Sequence, residues 1–482
     1  MESGAGMATA VDLVVIGSGG AAFSAAIRAR ALGRSVVMVE RGTVGGTCVN
    51  TGCVPSKALI AAAAARHGAA DAGRRHPGIS AAAGPVDLRA LVEGTQDLVD
   101  RMRSEKYVDI AASYGWPIRH REASFTGTAD APAVQLVGAD GSVEVIAARH
   151  YLIATGASPV IPEIPGLAQA GYLTSATAME LATVPESLLI IGGGFVAVEQ
   201  AQLFARLGSK VTMLVRSRLV SREEPEVSRA LEAVFADEGI RVVRSVRVTA
   251  VTVDAATGGV VAAAVAAGGA REYRAERVLV ATGRRPVTDA LNLASVGVQT
   301  GDRGEVVVDD SLVTANPRIW AAGDVTGRQE FVYVAARHGA IVVDNAFMGA
   351  AHSVDDASLP RVAFTDPAVG AVGMTEQEVH AAGHRCNCSI LPLEYVPRAI
   401  VNRDTRGFIK VVVDDDTGRI LGITAVAKDA GELAAAGVFL LEGCKTHTDV
   451  ASMWAPYLTM AEGIKLACQA FTSDPALLSC CA

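Results

Sequence analysis

Aromatic residues make up only 5% of this sequence, and its 43 lysines and arginines form no basic block. Nucleic-acid binding leaves the opposite footprint, a basic stripe with interleaved aromatic side chains, so the composition argues against such a partner. Long apolar runs are also missing. Charge or glycine interrupts every stretch before the roughly 18 residues that a membrane span needs, and no span is expected. Residues 1–10 lack the basic start and apolar core of a secretory signal, which makes the cytoplasm the expected compartment. Eight cysteines in 482 residues do not form the dense framework of a small disulfide-stapled domain, so redox or metal chemistry is the better reading.

What is present is a large apolar fraction (50%), 49 glycines and a net charge of −8. At about 150 residues per domain the length predicts two to four domains. The modest acidity serves mainly solubility.

Residues 11–16 form a short apolar strand, followed by Gly17-Ser18-Gly19-Gly20-Ala21-Ala22, a helix-forming run and a second strand at 36–39 that ends at Glu40. Strand, glycine turn, helix and strand in that order make a dinucleotide-binding unit. Gly17 permits the tight turn, Gly19 lets a pyrophosphate approach the backbone, and Ala22 keeps helix and strand close. Glu40, 23 residues beyond Gly17, is placed to accept hydrogen bonds from a ribose with a free 2′-OH, as in FAD.

The pattern repeats. Residues 188–191 are a strand, Gly192-Gly193-Gly194-Phe195-Val196-Ala197 the turn, 198–207 a helix and 211–215 the next strand. Here the second strand ends at Arg216, with Arg218 just beyond, where a carboxylate would select NAD. Two cations suit a 2′-phosphate, so NADPH is the expected ligand. Ala154-Thr155-Gly156 and Ala281-Thr282-Gly283 each follow a short strand and mark where the chain passes between units. Beyond about residue 356 the pattern changes: 408–413 and 420–426 read as strands joined by a turn, and 431–441 as a helix.

The most informative stretch is Gly45-Gly46-Thr47-Cys48-Val49-Asn50-Thr51-Gly52-Cys53-Val54-Pro55-Ser56-Lys57. Five residues apart in a regular helix, two cysteines point about 140° away from each other and lie too far apart to react. To act as a pair, Cys48 must occupy a loop or distorted turn, which Gly45, Gly46 and Gly52 allow, while Cys53 opens a helix. A helix N-terminus favours the thiolate.

This stretch resembles the redox-active segment of the pyridine nucleotide–disulfide oxidoreductases, and the resemblance extends over residues 10–482. It includes Ala321-Ala322-Gly323-Asp324, similar to the family segment whose aspartate holds the FAD ribityl chain. The resemblance implies an α/β fold with two nested Rossmann-like dinucleotide-binding domains plus a C-terminal α+β dimerisation domain. Residues 1–156 with 284–355 would bind FAD, 157–283 would bind NADPH, and 356–482 would dimerise and carry a Cys-Cys tail. Gly46, Thr47, Ala154, Thr155, Gly156 and Val332 join the implied FAD site, and Gly283 the implied NADPH site. Cys53 would be the thiol beside the flavin and Cys48 the outer, exchanging thiol. Lys57 and Glu199 match an ion pair beside the flavin where nicotinamide docks. Phe195 stands where a tyrosine often covers the flavin, so a phenol gate is not expected.

Disulfide reductases of the family carry a C-terminal histidine that protonates the leaving thiolate. This chain lacks it: Pro456-Tyr457-Leu458-Thr459-Met460-Ala461-Glu462 puts Tyr457 in its place and retains the glutamate. An ordinary phenol titrates near pH 10 and is a poor replacement. The chain ends instead in Ser479-Cys480-Cys481-Ala482, a compact pair of soft ligands, and soft ligands select soft ions. Tyr457 together with the tail resembles the branch of the family that reduces Hg(II). That implies a homodimer in which Cys480 and Cys481 of one subunit take Hg(II) from small thiol complexes and pass it to Cys48 and Cys53 of the other. The alternative, a thioredoxin reductase-type flavoprotein with a Cys-Cys relay, would retain the histidine.

Other cysteines fit less well. Cys386-Asn387-Cys388 beside His384 has no second ligand pair at zinc-site spacing and reads as half-buried or solvent-facing thiols. Cys444 and Cys468 read as packing residues, and His338 as a neighbour of the flavin. The N-terminal Met-Thr-Cys-x-x-Cys module common in the Hg(II)-reducing branch is not found ahead of Gly17, which leaves delivery to cytosolic thiols or the tail.

Overall fold

A computed structural model describes residues 11–477. Cys480 and Cys481, and the tail expectation with them, lie outside the described residues. The chain divides into two compact units, one of Met1–Ser56, Glu93–Val160 and Gly283–Val354, the other of Lys57–Val92, Ile161–Thr282 and Asp355–Ala482.

The first unit is built on a five-stranded parallel sheet, in the order Ile319–Ala321, Ala148–Ile153, Val11–Ile16, Val36–Glu40, Ile118–His120. Parallel strands are buried on both faces and need unbroken apolar sequence, which 13–16 and 36–39 supply. Helices Gly20–Ala31 and Val332–Met348 pack tightly, because Gly339 meets Ala21 where a Cβ would come within 2.2 Å of its carbonyl oxygen. Directly after the two Ala-Thr-Gly segments, Ala157–Pro159 and Arg284–Pro286 pair antiparallel, so the chain leaves and re-enters this unit on adjacent strands.

The second unit repeats the parallel theme in four strands, Arg241–Val243, Lys210–Leu214, Ser187–Ile191 and Arg277–Val280, with helix Phe195–Leu207 after the glycine turn. It also contains a five-stranded antiparallel sheet ordered Pro360–Ala363, Ala368–Gly373, Ile420–Ala427, Phe408–Asp414, Cys386–Pro392. The expected 408–426 hairpin and the helix after it (Ala430–Glu442) are there.

Residues 57–92 group with the second unit and not with the first, because Leu59, Ala63 and Leu88 are buried in one cluster with Leu188, Phe204 and Phe235. An 18-residue window within Gly46–Arg75 reaches a mean hydropathy of 1.2, so this segment is long and apolar enough to cross a membrane by length and composition only. Its alanines raise the value despite the charges. Those charges are engaged: Lys57 pairs with Glu199, Arg66 donates to the Arg206 carbonyl at 2.6 Å, and Asp71 accepts from Arg74 and Arg75.

Candidate active site

In the first unit the glycine turn is dictated by sterics. Gly17 has φ +109°, and a Cβ there would lie 2.3 Å from the Ala154 carbonyl oxygen. Gly19 ends the turn and caps helix Gly20–Ala31 with no side chain, so its first N–H groups are left for a ligand. Gly46 faces Gly19: a Cβ at Gly46 would come 2.7 Å from the Gly19 Cα, and its φ is +66°. The floor of the site is therefore backbone alone. Glu40 accepts from Ser18 Oγ (2.6 Å) and from the Gly42 N–H (2.7 Å). Each of its oxygens retains a lone pair, and it borders a cavity of about 170 Å³ with Gly17, Arg41 and Thr155. Ala22 is fully buried, and Val332 opens an uncapped helix against Gly20.

Thr155 Oγ1 donates to the Val287 carbonyl, and Gly156, at φ +68°, accepts from the Val287 N–H; both shape the far wall. Asp324 lies in a short turn where burial raises its carboxyl above the ordinary value, opposed by Arg284. His338 accepts the Gly323 N–H at 3.3 Å and, pushed down to about 4 by burial, is neutral at physiological pH. A backbone floor, two open helix ends and carboxylates at Glu40 and Asp324 fit a flavin dinucleotide: phosphates at the floor, ribose hydroxyls at Glu40, polyol hydroxyls at Asp324. Gly46→Ala should force the two backbones apart and yield protein with less flavin absorbance per chain. Gly68→Ala, in open space on a helix, should not change it.

The cysteine segment folds as its glycines require. Cys48 lies in a single helical turn, Gly46–Asn50, which Thr51 and Gly52 interrupt, and Cys53 is the first residue of helix Cys53–Arg75. Gly52 cannot gain a side chain, since a Cβ would sit 2.9 Å from the Thr47 carbonyl oxygen. Asn50 clamps the turn by donating to the Val44 and Gly46 carbonyls, both at 2.9 Å. Cys48 is half-buried and Cys53 exposed. Tyr107, unnoticed in the sequence, belongs to this group: burial, and then Cys48 and Cys53, raise its phenol above the ordinary value. It gives no sequence signal, being one tyrosine in a polar helix far along the chain.

In the second unit, Gly192 repeats the logic of Gly17, with φ +138° and a Cβ that would meet the Ala281 carbonyl oxygen at 2.1 Å. Gly194 caps helix Phe195–Leu207 without a side chain, and Ala197 is fully buried beneath it. Glu199, on the first turns of that helix, is 6% exposed, accepts from Lys57 Nζ at 2.7 Å and takes the Phe364 N–H at 2.9 Å. Lys57 Nζ also lies over the Phe364 ring, 4.7 Å from its centre.

The two arginines differ. Arg218 spends its guanidinium on the Ser221, Glu223 and Glu224 carbonyls and Ser228 Oγ, so it shapes the loop. Arg216 is exposed at the strand end, and Arg222, overlooked in the sequence, is exposed in the same loop. Gly283 belongs to the first unit, where its carbonyl accepts the Val160 N–H at 2.9 Å.

Tyr457 is 48% exposed, and the buried Glu462 carboxylate accepts the next residue's N–H (Leu458, 3.2 Å), holding the turn that presents the ring. Cys468 is buried as expected, but Cys444 is exposed: helix Ala430–Glu442 ends before it, and it turns outward at φ +50°. Beside Cys386 the structure brings His380, at 3.4 Å.

Residues 11–339 match the pyridine nucleotide-disulphide oxidoreductase family, and 359–468 match the dimerisation domain of the same name. The chain belongs to the pyridine nucleotide-disulphide oxidoreductases. Among similar proteins, the mercuric reductase of Streptomyces lividans is 54% identical over 98% of this chain and 99% of its own length. That of Staphylococcus aureus is 44% identical over 98% of this chain and 84% of its own. Among solved structures, the Cu(II) complex of the HOCl-induced flavoprotein disulfide reductase RclA from Escherichia coli is similar (TM-score 0.84, 26% identity, 96% of this chain and 99% of that one). So is LpdA from Mycobacterium tuberculosis, with the same TM-score and identity over 96% of this chain and all of its own.

Proposed function

We propose that this chain reduces Hg(II) to elemental mercury with electrons from NADPH, through FAD and the Cys48–Cys53 pair. The observation that carries the reading is full-length similarity to mercuric reductases, at 54% identity in one case. Bound FAD supplies two-electron transfer from the nicotinamide of NADPH to the sulfurs and their ligand. The chain supplies the rest. Cys53, the first residue of its helix, lies where N-terminal N–H groups favour a thiolate. Cys48, on the preceding turn, exchanges with incoming thiol complexes of Hg(II). Two thiolates hold the ion until it takes two electrons, and elemental mercury, a poor ligand acceptor, leaves. Lys57 and Glu199 order the nicotinamide side.

The described residues 359–468 carry the dimerisation match, and Trp454 and Phe439 expose large apolar surface there, as a homodimer interface requires. We place Tyr457 and the partner's tail at the Hg(II) entry of a shared site, and assign FAD binding to 1–156 with 284–355, NADPH binding to 157–283 and dimerisation to 356–482, residues 57–92 packing within the second unit. We infer a cytoplasmic compartment, where NADPH and reduced small thiols are supplied.

The test is Hg(II)-dependent NADPH oxidation with release of elemental mercury under anaerobic conditions. Turnover with thioredoxin but not with Hg(II) would overturn the reading. Replacing Cys480 and Cys481 by alanine should slow turnover when Hg(II) is supplied as a dithiol complex and change it little with weakly held Hg(II); equal rates in the first case argue against the relay. For cofactor choice, Arg216→Ala should raise KM for NADPH roughly 10- to 100-fold, the value of one charge-assisted hydrogen bond, and leave KM for NADH unchanged. Arg222→Ala should act in the same direction, whereas Arg218→Ala should lower stability first.

A further inference from the structure

Cys386 and Cys388 take no part in the chemistry above, yet they are not isolated. They alternate along Cys386–Pro392, the outer strand of the antiparallel sheet, and so project to the same face about 6.5 Å apart at their Cα atoms. Both are half-buried, and the two thiols lie within hydrogen-bonding reach of each other. Helix Glu376–Ala381 adds His380, whose Nε2 is 3.4 Å from Cys386 Sγ, and Glu376, whose carboxylate accepts from the Cys388 thiol and from Lys410 Nζ at 2.7 Å.

We propose that Cys386 and Cys388 are a second Hg(II)-capturing thiol pair, separate from the Cys48–Cys53 centre and from the C-terminal tail. Three properties support it. Two sulfurs on one face of a strand can spread to either side of a linear two-coordinate ion, a span wider than the ~2 Å of a disulfide bond. Soft sulfur ligands select a soft ion over zinc or calcium. Among the described residues no group of three or more His, Cys, Asp or Glu side chains converges on a polyhedral metal centre, so a two-coordinate ion is the class that fits.

Burial and the Glu376 carboxylate push the Cys388 thiol up to about 12, and burial also raises Cys386. Both therefore rest as thiols, which slows their oxidation. Capture from a small thiol complex breaks two S–Hg bonds and forms two, and the protons of Cys386 and Cys388 leave on the two departing thiols. From the free ion, two S–H bonds break, two S–Hg bonds form and two protons are released, His380 being placed to take the first. No electron moves.

The choice of Hg(II) rests on the function proposed above, but capture is measured without turnover, so either idea can fail alone. The experiment uses oxidised holoenzyme without NADPH, with Hg(II) and an excess of a small monothiol, followed by alkylation and peptide mass analysis. In the unaltered protein, Hg(II) should protect Cys386 and Cys388 together, while the exposed single thiol Cys444 still alkylates. The Cys386→Ser/Cys388→Ser protein should retain one Hg(II) fewer per chain at unchanged flavin content and unchanged NADPH turnover, and either single replacement should lose that same equivalent. Alkylation of Cys386 and Cys388 as readily as Cys444 in the presence of Hg(II) would overturn the proposal, as would an unchanged Hg(II) count in the double variant.

Discussion

Cys48→Ser should leave the flavin reducible by NADPH while lowering Hg(II)-dependent turnover by about three orders of magnitude or more, the scale seen when one member of a cooperating catalytic set is removed. The expectation follows from the local fold. Cys48 sits on a turn that Gly45 and Gly46 bend and Asn50 clamps, which fixes its position relative to Cys53 at the start of the next helix. Serine keeps the size but offers a hard hydroxyl in place of a soft thiolate, and Cys53 alone leaves one position of a linear ion to an outside thiol. Stopped-flow absorbance separates the two halves of the reaction. Near-normal flavin reduction with a lost Hg(II) phase is the predicted pattern, and turnover within a few-fold of the unaltered enzyme would remove Cys48 from the mechanism. Cys53→Ser should lose turnover to the same extent.

Tyr107 provides a finer measure of the same group. Its phenol is raised by burial and by the sulfurs, so Tyr107→Phe removes a polar neighbour without emptying the space. A change in the pH profile of Hg(II) reduction with unaltered NADPH binding is what electrostatic coupling to the cysteines implies.

The parts of the site that were legible in the sequence are those where backbone geometry leaves one residue type. Gly17 and Gly192 each face a carbonyl oxygen that any side chain would strike, and Gly46 and Gly52 do the same around Cys48. Such positions announce themselves. Glycine spacing therefore located both nucleotide turns, and the alternation from 408 to 426 located the hairpin. What stayed hidden depends on contacts between distant stretches. Nothing near Arg218 in the sequence says that four acceptors within ten residues will occupy its guanidinium, so it read as equivalent to Arg216. Residues 57–92 carry apolar positions that fit either neighbouring core, and only packing shows that Leu59 and Leu88 join Phe204 and Phe235. His384 lies beside Cys386 in sequence, but the helix before it delivers His380 instead.

Lys57→Met is expected to cost both stability and rate, and a second substitution can separate the two. Glu199 is almost completely buried on helix Phe195–Leu207, where it accepts from Lys57 Nζ and the Phe364 N–H. Methionine keeps the aliphatic stem against Phe364 but leaves a buried carboxylate with one donor fewer. Losing a partner costs a fully buried pair about 3–5 kcal/mol. The Lys57 side chain is 32% exposed, so solvent screens part of the interaction, and about 1–3 kcal/mol is the appropriate range. A lower Tm in thermal unfolding of the holoenzyme checks it. Lys57→Met/Glu199→Leu removes both charges and should recover most of that stability, since an apolar pair of similar volume fills the same space without desolvated charge. If the ion pair also orders the nicotinamide side as proposed, the double variant should still reduce its flavin slowly with NADPH despite its recovered Tm. Recovery of both quantities together would reduce Lys57 and Glu199 to a structural pair, whereas recovery of stability alone assigns them to hydride delivery.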